Sequence, residues 1–116
     1  MKPEKELLGV LLTPGPNGAP LGKVIRVRDV NKAIEKNVTS NFEEAATRSV
    51  DVAFDLPVNV VFSLGSTGRV IDFANVYFIG PVMIFGKDHD GRVQSLSRAE
   101  IHAIAYFCAS FKYSEE

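Results

Sequence analysis

The densest group of chemistry-bearing side chains in the chain is Asp88-His89-Asp90-Gly91. Two carboxylates flanking an imidazole could hold a cation or pass a proton. A calcium loop needs oxygen ligands at its first, third, fifth and twelfth positions, with glycine at the sixth. With Gly91 in the sixth place, Asp88 and Asp90 fill the third and fifth, but Gly86 and Ser97 fall on the first and twelfth. The outer carboxylates are missing, and a transition-metal site has only His102 and Cys108 left to recruit. An acidic stretch that ends in glycine between two apolar runs reads instead as a hairpin turn, the glycine supplying positive φ. A small enzyme using Asp88 and Asp90 stands as an alternative, and no catalytic residue, metal ligand or cofactor is assigned.

Other nucleophile and acid–base arrangements are absent. His102 and Cys108 lie on one helical stretch about 240° apart round its axis, so they form no local dyad. "GSTGR" (65–69) lacks the lysine and the strand-to-helix setting of a phosphate loop, and there is no nucleophile elbow or two-histidine zinc pattern. The arginines offer different chemistry. Arg26 and Arg28 share one strand face, and Arg69 and Arg92 each follow a turn glycine. Brought together, their guanidinium forks could hold a small nucleotide-like anion.

Composition narrows the classes further. A chain of 116 residues with 46% apolar and 23% charged residues reads as one domain, 1–116, with one core. The net charge of −1, from 13 basic and 14 acidic residues, gives no overall electrostatic footprint for nucleic acid. The single cysteine excludes an intrachain disulfide and fits a reducing compartment. The opening "MKPEKELLGVLL" carries two glutamates and only a short apolar run, so a cytoplasmic protein without a membrane anchor is expected.

The elements that must position these residues follow from periodicity and caps. Residues 7–12 read as a buried strand, 13–22 as a Pro/Gly-rich loop, and 23–30 as a half-exposed strand pairing back as a hairpin. A short helix is expected within 31–48, started by a capping box at Ser40 with Glu43 or Asn41 with Glu44. "VDVAFDL" (50–56) and "VNVVFSL" (58–64) alternate with period two, one face to the core and one to water, with Pro57 ending the first. "VVFSLGSTGRV" (60–70) and "MIFGKDHDGRV" (83–93) align without a gap and read as two similar hairpins. Ser97 with Glu100 forms a capping box, with Leu96 and Ile101 placed as its hydrophobic staple. From there a long apolar helix is expected through Tyr113. The fold class is α+β: a mainly antiparallel sheet of five to seven strands, one short helix, and a longer C-terminal helix packed on the sheet.

The string Asp88-x-x-Gly91-x-x-x-Ser95-Leu96-x-x-x-Glu100-Ile101, preceded by "GPVMIFG" (80–86), resembles the closing segment of a small family of unknown function common in phages and conjugative elements. "VLLTPG" (10–15) is similar to that family's opening strand and turn, and "FEEAATRSVDVAFDLPVNVVFSLGSTGRV" (42–70) has its order of short helix, strand and hairpin. The resemblance spans residues 8–108 and departs at "PNGAPLG" (16–22) and after Ile101. It implies an α+β domain of mobile-element origin and carries no catalytic residues. The expected function is a non-enzymatic interaction protein that binds a host protein or a second copy of itself. Its interface would be the apolar helix, through Ile101, Ile104, Tyr106, Phe107, Phe111 and Tyr113. A small anionic ligand on the four arginines is the second reading; nucleic acid and membrane are not expected partners.

Overall fold

Several strands of this protein bury neighbouring residues on both sides, and that shapes the fold. A computed structural model describes residues 6–113. Strand β1 (Leu7–Thr13) runs antiparallel to β2 (Leu21–Val27), with Leu7 opposite Val27 and Thr13 opposite Leu21. After β2 come helix α1 (Val30–Asn37), β3 (Ala45–Asp51) and β4 (Pro57–Ser63). Strands β5 (Val70–Phe73) and β6 (Val76–Ile79) form a separate two-stranded sheet. The chain continues through β7 (Val82–Lys87), β8 (Val93–Gln94), α2 (Arg98–Tyr106) and β9 (Ser110–Lys112). The main sheet has seven strands in the order β3-β4-β7-β1-β2-β9, with β8 attached to β7. Its pairings are antiparallel except β2 with β9.

Successive strand residues point to opposite faces, so a strand buried at consecutive positions needs a cover on each side. Val10, Leu12, Val24, Val58, Val60, Val82 and Ile84 enter one core cluster, while Leu11, Val27, Val61, Met83 and Phe85 enter another. Over the first face lie Ile101 and Ile104 of α2, Leu96 before it, and Ile71, Phe73 and Phe78 of the small sheet. Over the second lies α1, which contributes the buried Ile34 and the partly buried Val30 and Ala33. The one-faced sheet expected from "VNVVFSL" is therefore corrected: Val58, Asn59, Val60 and Val61 are all buried. The apolar residue Val61, placed among the outward positions, was the sign of a second cover.

Several other expectations shift. The short helix exists, but Asp29 caps it, accepting from the Lys32 amide at 3.2 Å. Asn41 does act as a cap, though only for the 3-10 turn Phe42–Glu44, after which residues 45–51 pair with β4 along their full length. One turn is too short to propagate as helix, and seven ladder positions outweigh it. The alternating "VDVAFDL" stops being strand at Asp51. Val52 donates to the Leu56 carbonyl at 3.0 Å across a turn in which Asp55 has φ 56° and Phe54 stands 96% exposed. Pro57 opens β4 rather than ending the strand before it, a first-residue position that suits proline. The loop is also shorter than read: Thr13 closes β1 and Leu21 opens β2, with a 3-10 turn, Pro16–Gly18, between them.

The long C-terminal helix is not formed. Helix α2 ends at Tyr106, where the Phe107 amide turns back to the Ile104 carbonyl at 3.0 Å. Ala109 then donates to the Pro20 carbonyl at 2.8 Å, and β9 pairs in parallel with the start of β2. The residues beyond, "FCASFKY", include Phe107, Cys108, Ser110, Phe111 and Tyr113, which propagate a helix less well than Ala or Leu, and the aromatic ones suit a strand. Gly22 makes room for this docking: a Cβ there would meet the Phe111 ring at 2.7 Å. The two look-alike segments also part company. Residues 83–93 do form a hairpin, with Lys87 opposite Val93, whereas β4 leaves the sheet at Ser63 and the chain crosses to β5. Gly68 and Gly91 nonetheless both take positive φ, 112° and 81°. What the two segments share is turn chemistry, not architecture.

Candidate binding site

The acidic turn behaves as a turn. Asp88 Oδ1 accepts from the amides of Asp90 at 2.9 Å and Arg92 at 2.8 Å, and the Asp88 amide donates to the Arg92 carbonyl at 3.0 Å. The Arg92 amide holds the Asp88 carboxyl below its ordinary value of 3.8; the Asp90 amide and the nearby His89 and Arg92 charges add to this against a partial loss of solvent. One oxygen of Asp88 is thus spent on backbone, and His89 is exposed beside Asp90 at 3.5 Å. Asn59, buried at the centre of β4, anchors both ends of the hairpin by donating to the carbonyls of Gly86 and Gly91, each at 3.3 Å. Among the described residues, no group of three or more His, Cys, Asp or Glu side chains could hold a metal ion. Cys108 is partly buried, with Sγ donating to the Ile104 carbonyl at 3.4 Å, and burial pushes its thiol up to about 11. It is a core residue with little thiolate at neutral pH.

The six helix residues read as an interface are dispersed. Ile101 and Ile104 are covered by the protein's own sheet. Phe107 meets Phe73 edge-on at 5.6 Å, and Phe111 packs on the same core from β9. Tyr106 is exposed, and Tyr113, also exposed, sets its ring against His102. The four arginines do not converge either. Arg69 Nη2 donates to the Gly15 carbonyl at 2.8 Å, and Arg92 belongs to the acidic hairpin. Arg26 and Arg28, by contrast, hold one carboxylate between them, that of Glu6, at 3.5 and 3.4 Å.

That pair lies on the face of β2 shared with Val24 and Leu8; the opposite face, that of Ile25 and Val27, carries a larger feature. The face beneath α1 is not covered out to the β2–β9 edge, and two clefts open there, of about 390 and 270 Å³. Leu11 and Lys23 line both clefts, so the two join into one trough along β2. Its floor is aliphatic: Leu11, Leu21, Ile25, Val27 and Ala33. Its cations are Lys23, Lys32, Lys36 and Lys112, against one lining carboxylate among the described residues, Asp29, whose oxygen caps α1. Arg26 and Arg28 border the cleft in sequence but, alternating with Ile25 and Val27, carry their side chains on the opposite face. Four of the chain's 13 basic residues thus gather on a protein of net charge −1. Like charges over a low-dielectric floor raise the local potential and attract anions. A further cleft of about 230 Å³ lies between β4 and β6, lined by Leu64, Tyr77 and Ile79 with Arg48 its one charge.

Residue types alone pointed to Arg26 and Arg28, whose side chains lie on the other face, and missed the four lysines. Lys32 and Lys36 are one helical turn apart and so share a face, a signal that was readable once α1 was placed correctly. Lys23 lies two and four residues before Ile25 and Val27, on the same strand face. Lys112 joins only through the parallel β2–β9 pairing, which local spacing does not announce. No helix among the described residues is long and apolar enough to cross a membrane. No family model, curated protein or solved structure matches this chain.

Proposed function

We propose that this is a non-enzymatic binding protein whose trough along β2 takes an anionic partner. The observation that carries the reading is the gathering of four lysines, Lys23, Lys32, Lys36 and Lys112, round an aliphatic floor in a chain with no basic excess. The alternative of an enzyme using Asp88 and Asp90 loses support, because Asp88 is occupied with backbone amides. Binding through one face of a long helix loses it too, because Ile101 and Ile104 are core. A phage or conjugative-element origin, with a partner in the host cytoplasm, belongs to the same proposal and is supported by the Asp88-to-Ile101 string.

Thermal unfolding in the presence of a panel of anions tests it. A ligand at a hundred times its dissociation constant adds about 2.7 kcal/mol to the stability of the folded state. At least one anion should raise the melting temperature of the natural chain and leave that of Lys32→Glu/Lys36→Glu unmoved. No shift with any anion, or an equal shift in the double variant, would contradict the proposal.

A further inference from the structure

We infer that the occupant of the trough is an extended acidic segment of a partner protein, one in which Asp or Glu alternates with aliphatic residues. This rests on the trough being the binding site and goes on to name its ligand class. Three features of the site select that chemistry over a nucleotide or a nucleic acid.

The first is shape. The joined clefts follow β2, whose seven residues span about 23 Å at ~3.3 Å each, a length that matches an extended peptide and exceeds a single nucleotide. The second is the floor. Leu11, Leu21, Ile25 and Val27 are aliphatic, and among the described residues no aromatic ring lines either cleft. Single-stranded nucleic acid and nucleotides draw much of their affinity from stacking on aromatic rings, which this floor does not offer. An extended peptide alternates its side chains, so it can set Leu, Ile or Val on the floor while its carboxylates reach the cationic rim. The third is the rim: Lys23 and Lys112 at the strand edge and Lys32 and Lys36 on α1 are exposed cations flanking that floor. Spaced along the length of β2, they suit several carboxylates on an extended chain rather than one compact anion. Electrostatic complementarity would make association fast and sensitive to salt.

Fluorescence anisotropy on the full chain decides the matter, using a labelled eight-residue peptide of alternating Glu and Leu. Its comparators are a Glu–Ser peptide of equal length and charge, an eight-nucleotide single strand, and ATP. The Glu–Leu peptide should bind at least about tenfold tighter than the Glu–Ser peptide, a difference of 1.4 kcal/mol, and tighter than either nucleic-acid probe. Lys32→Glu/Lys36→Glu, both at exposed positions, should lose at least about tenfold in affinity for that peptide while keeping its far-ultraviolet circular dichroism. If the single strand or ATP binds tighter than the peptide, and the double variant loses that binding, the trough is an anion site but the peptide assignment is overturned. Equal affinity for the Glu–Leu and Glu–Ser peptides overturns it as well, because the floor then contributes nothing. If no probe binds, or the double variant binds all of them like the natural chain, both the ligand class and the binding trough fall.

Discussion

The two faces of the central sheet both carry apolar residues, under unequal covers. On one, α2, Leu96 and the β5–β6 hairpin close over Val10, Val58, Val60 and Ile84, and Phe73 and Phe107 seal the contact edge-on. On the other, α1 buries Ile34 over Val61, Met83 and Phe85, while the strand surface toward β9 is left open and flanked by Lys23, Lys32, Lys36 and Lys112. A sheet of seven strands needs two covers if both faces are apolar, and an incomplete one leaves apolar surface that must be used or defended. Here the uncovered part is flanked by charge. The first face is the more completely closed; the second is the one to which the proposed binding is assigned.

Substitutions can separate those roles. The largest effect should come from Phe73→Ala on the closed face, where a fully buried ring is lost: about 3–5 kcal/mol by urea unfolding. A loss below about 1 kcal/mol would mean that the small sheet adds little to the core. Asn59→Ala removes two donors from buried or partly buried carbonyls of the β7–β8 hairpin and should cost about 1–3 kcal/mol. Protection of the hairpin amides from hydrogen exchange should fall with it; unchanged protection would show that the ladder alone holds the turn. Ile25→Ala on the open face should cost only about 1 kcal/mol, because Ile25 is half-exposed, yet weaken the Glu–Leu peptide measurably. An affinity equal to that of the natural chain would remove the floor from the account.

The smallest effect concerns pH. The folded Asp88 carboxyl titrates below 3.8, so its contribution to stability is complete well above that value and is lost as pH falls through the lower, folded one. Asp88→Asn should flatten this part of the acid-stability curve, and a carboxyl titration followed by NMR should place Asp88 below 3.8 in the folded protein. A value at or above 3.8 would show that the Arg92 amide does not hold the ionised form.

How far the sequence told this in advance depends on the range of the forces concerned. The Ser97–Glu100 box, the β1–β2 pairing and the positive φ of Gly91 are local, and each was readable from a few neighbouring residues. The end of α2 was not, because what stops it is the docking of residues 110–112 against β2, far away in the chain. Nor was the start of β3, where a good cap at Asn41 competes with seven pairings to β4. The trough was half legible for the same reason. Lys23 alternates in step with Ile25 and Val27 on one strand, but Lys112 and the lysines of α1 reach it only through tertiary placement. Arg26 and Arg28, which drew notice, face the other way. Arg69 and Arg92, which resembled each other in sequence, serve two unrelated turns.

Amide NMR during titration with the Glu–Leu peptide reads directly which face of the sheet binds. Shifts should concentrate at residues 21–28, 32–36 and 110–112, while the amides of α2 and of β5 and β6 stay in place. Shifts centred on α2 or the small sheet, or spread evenly over the molecule, would contradict binding in the trough.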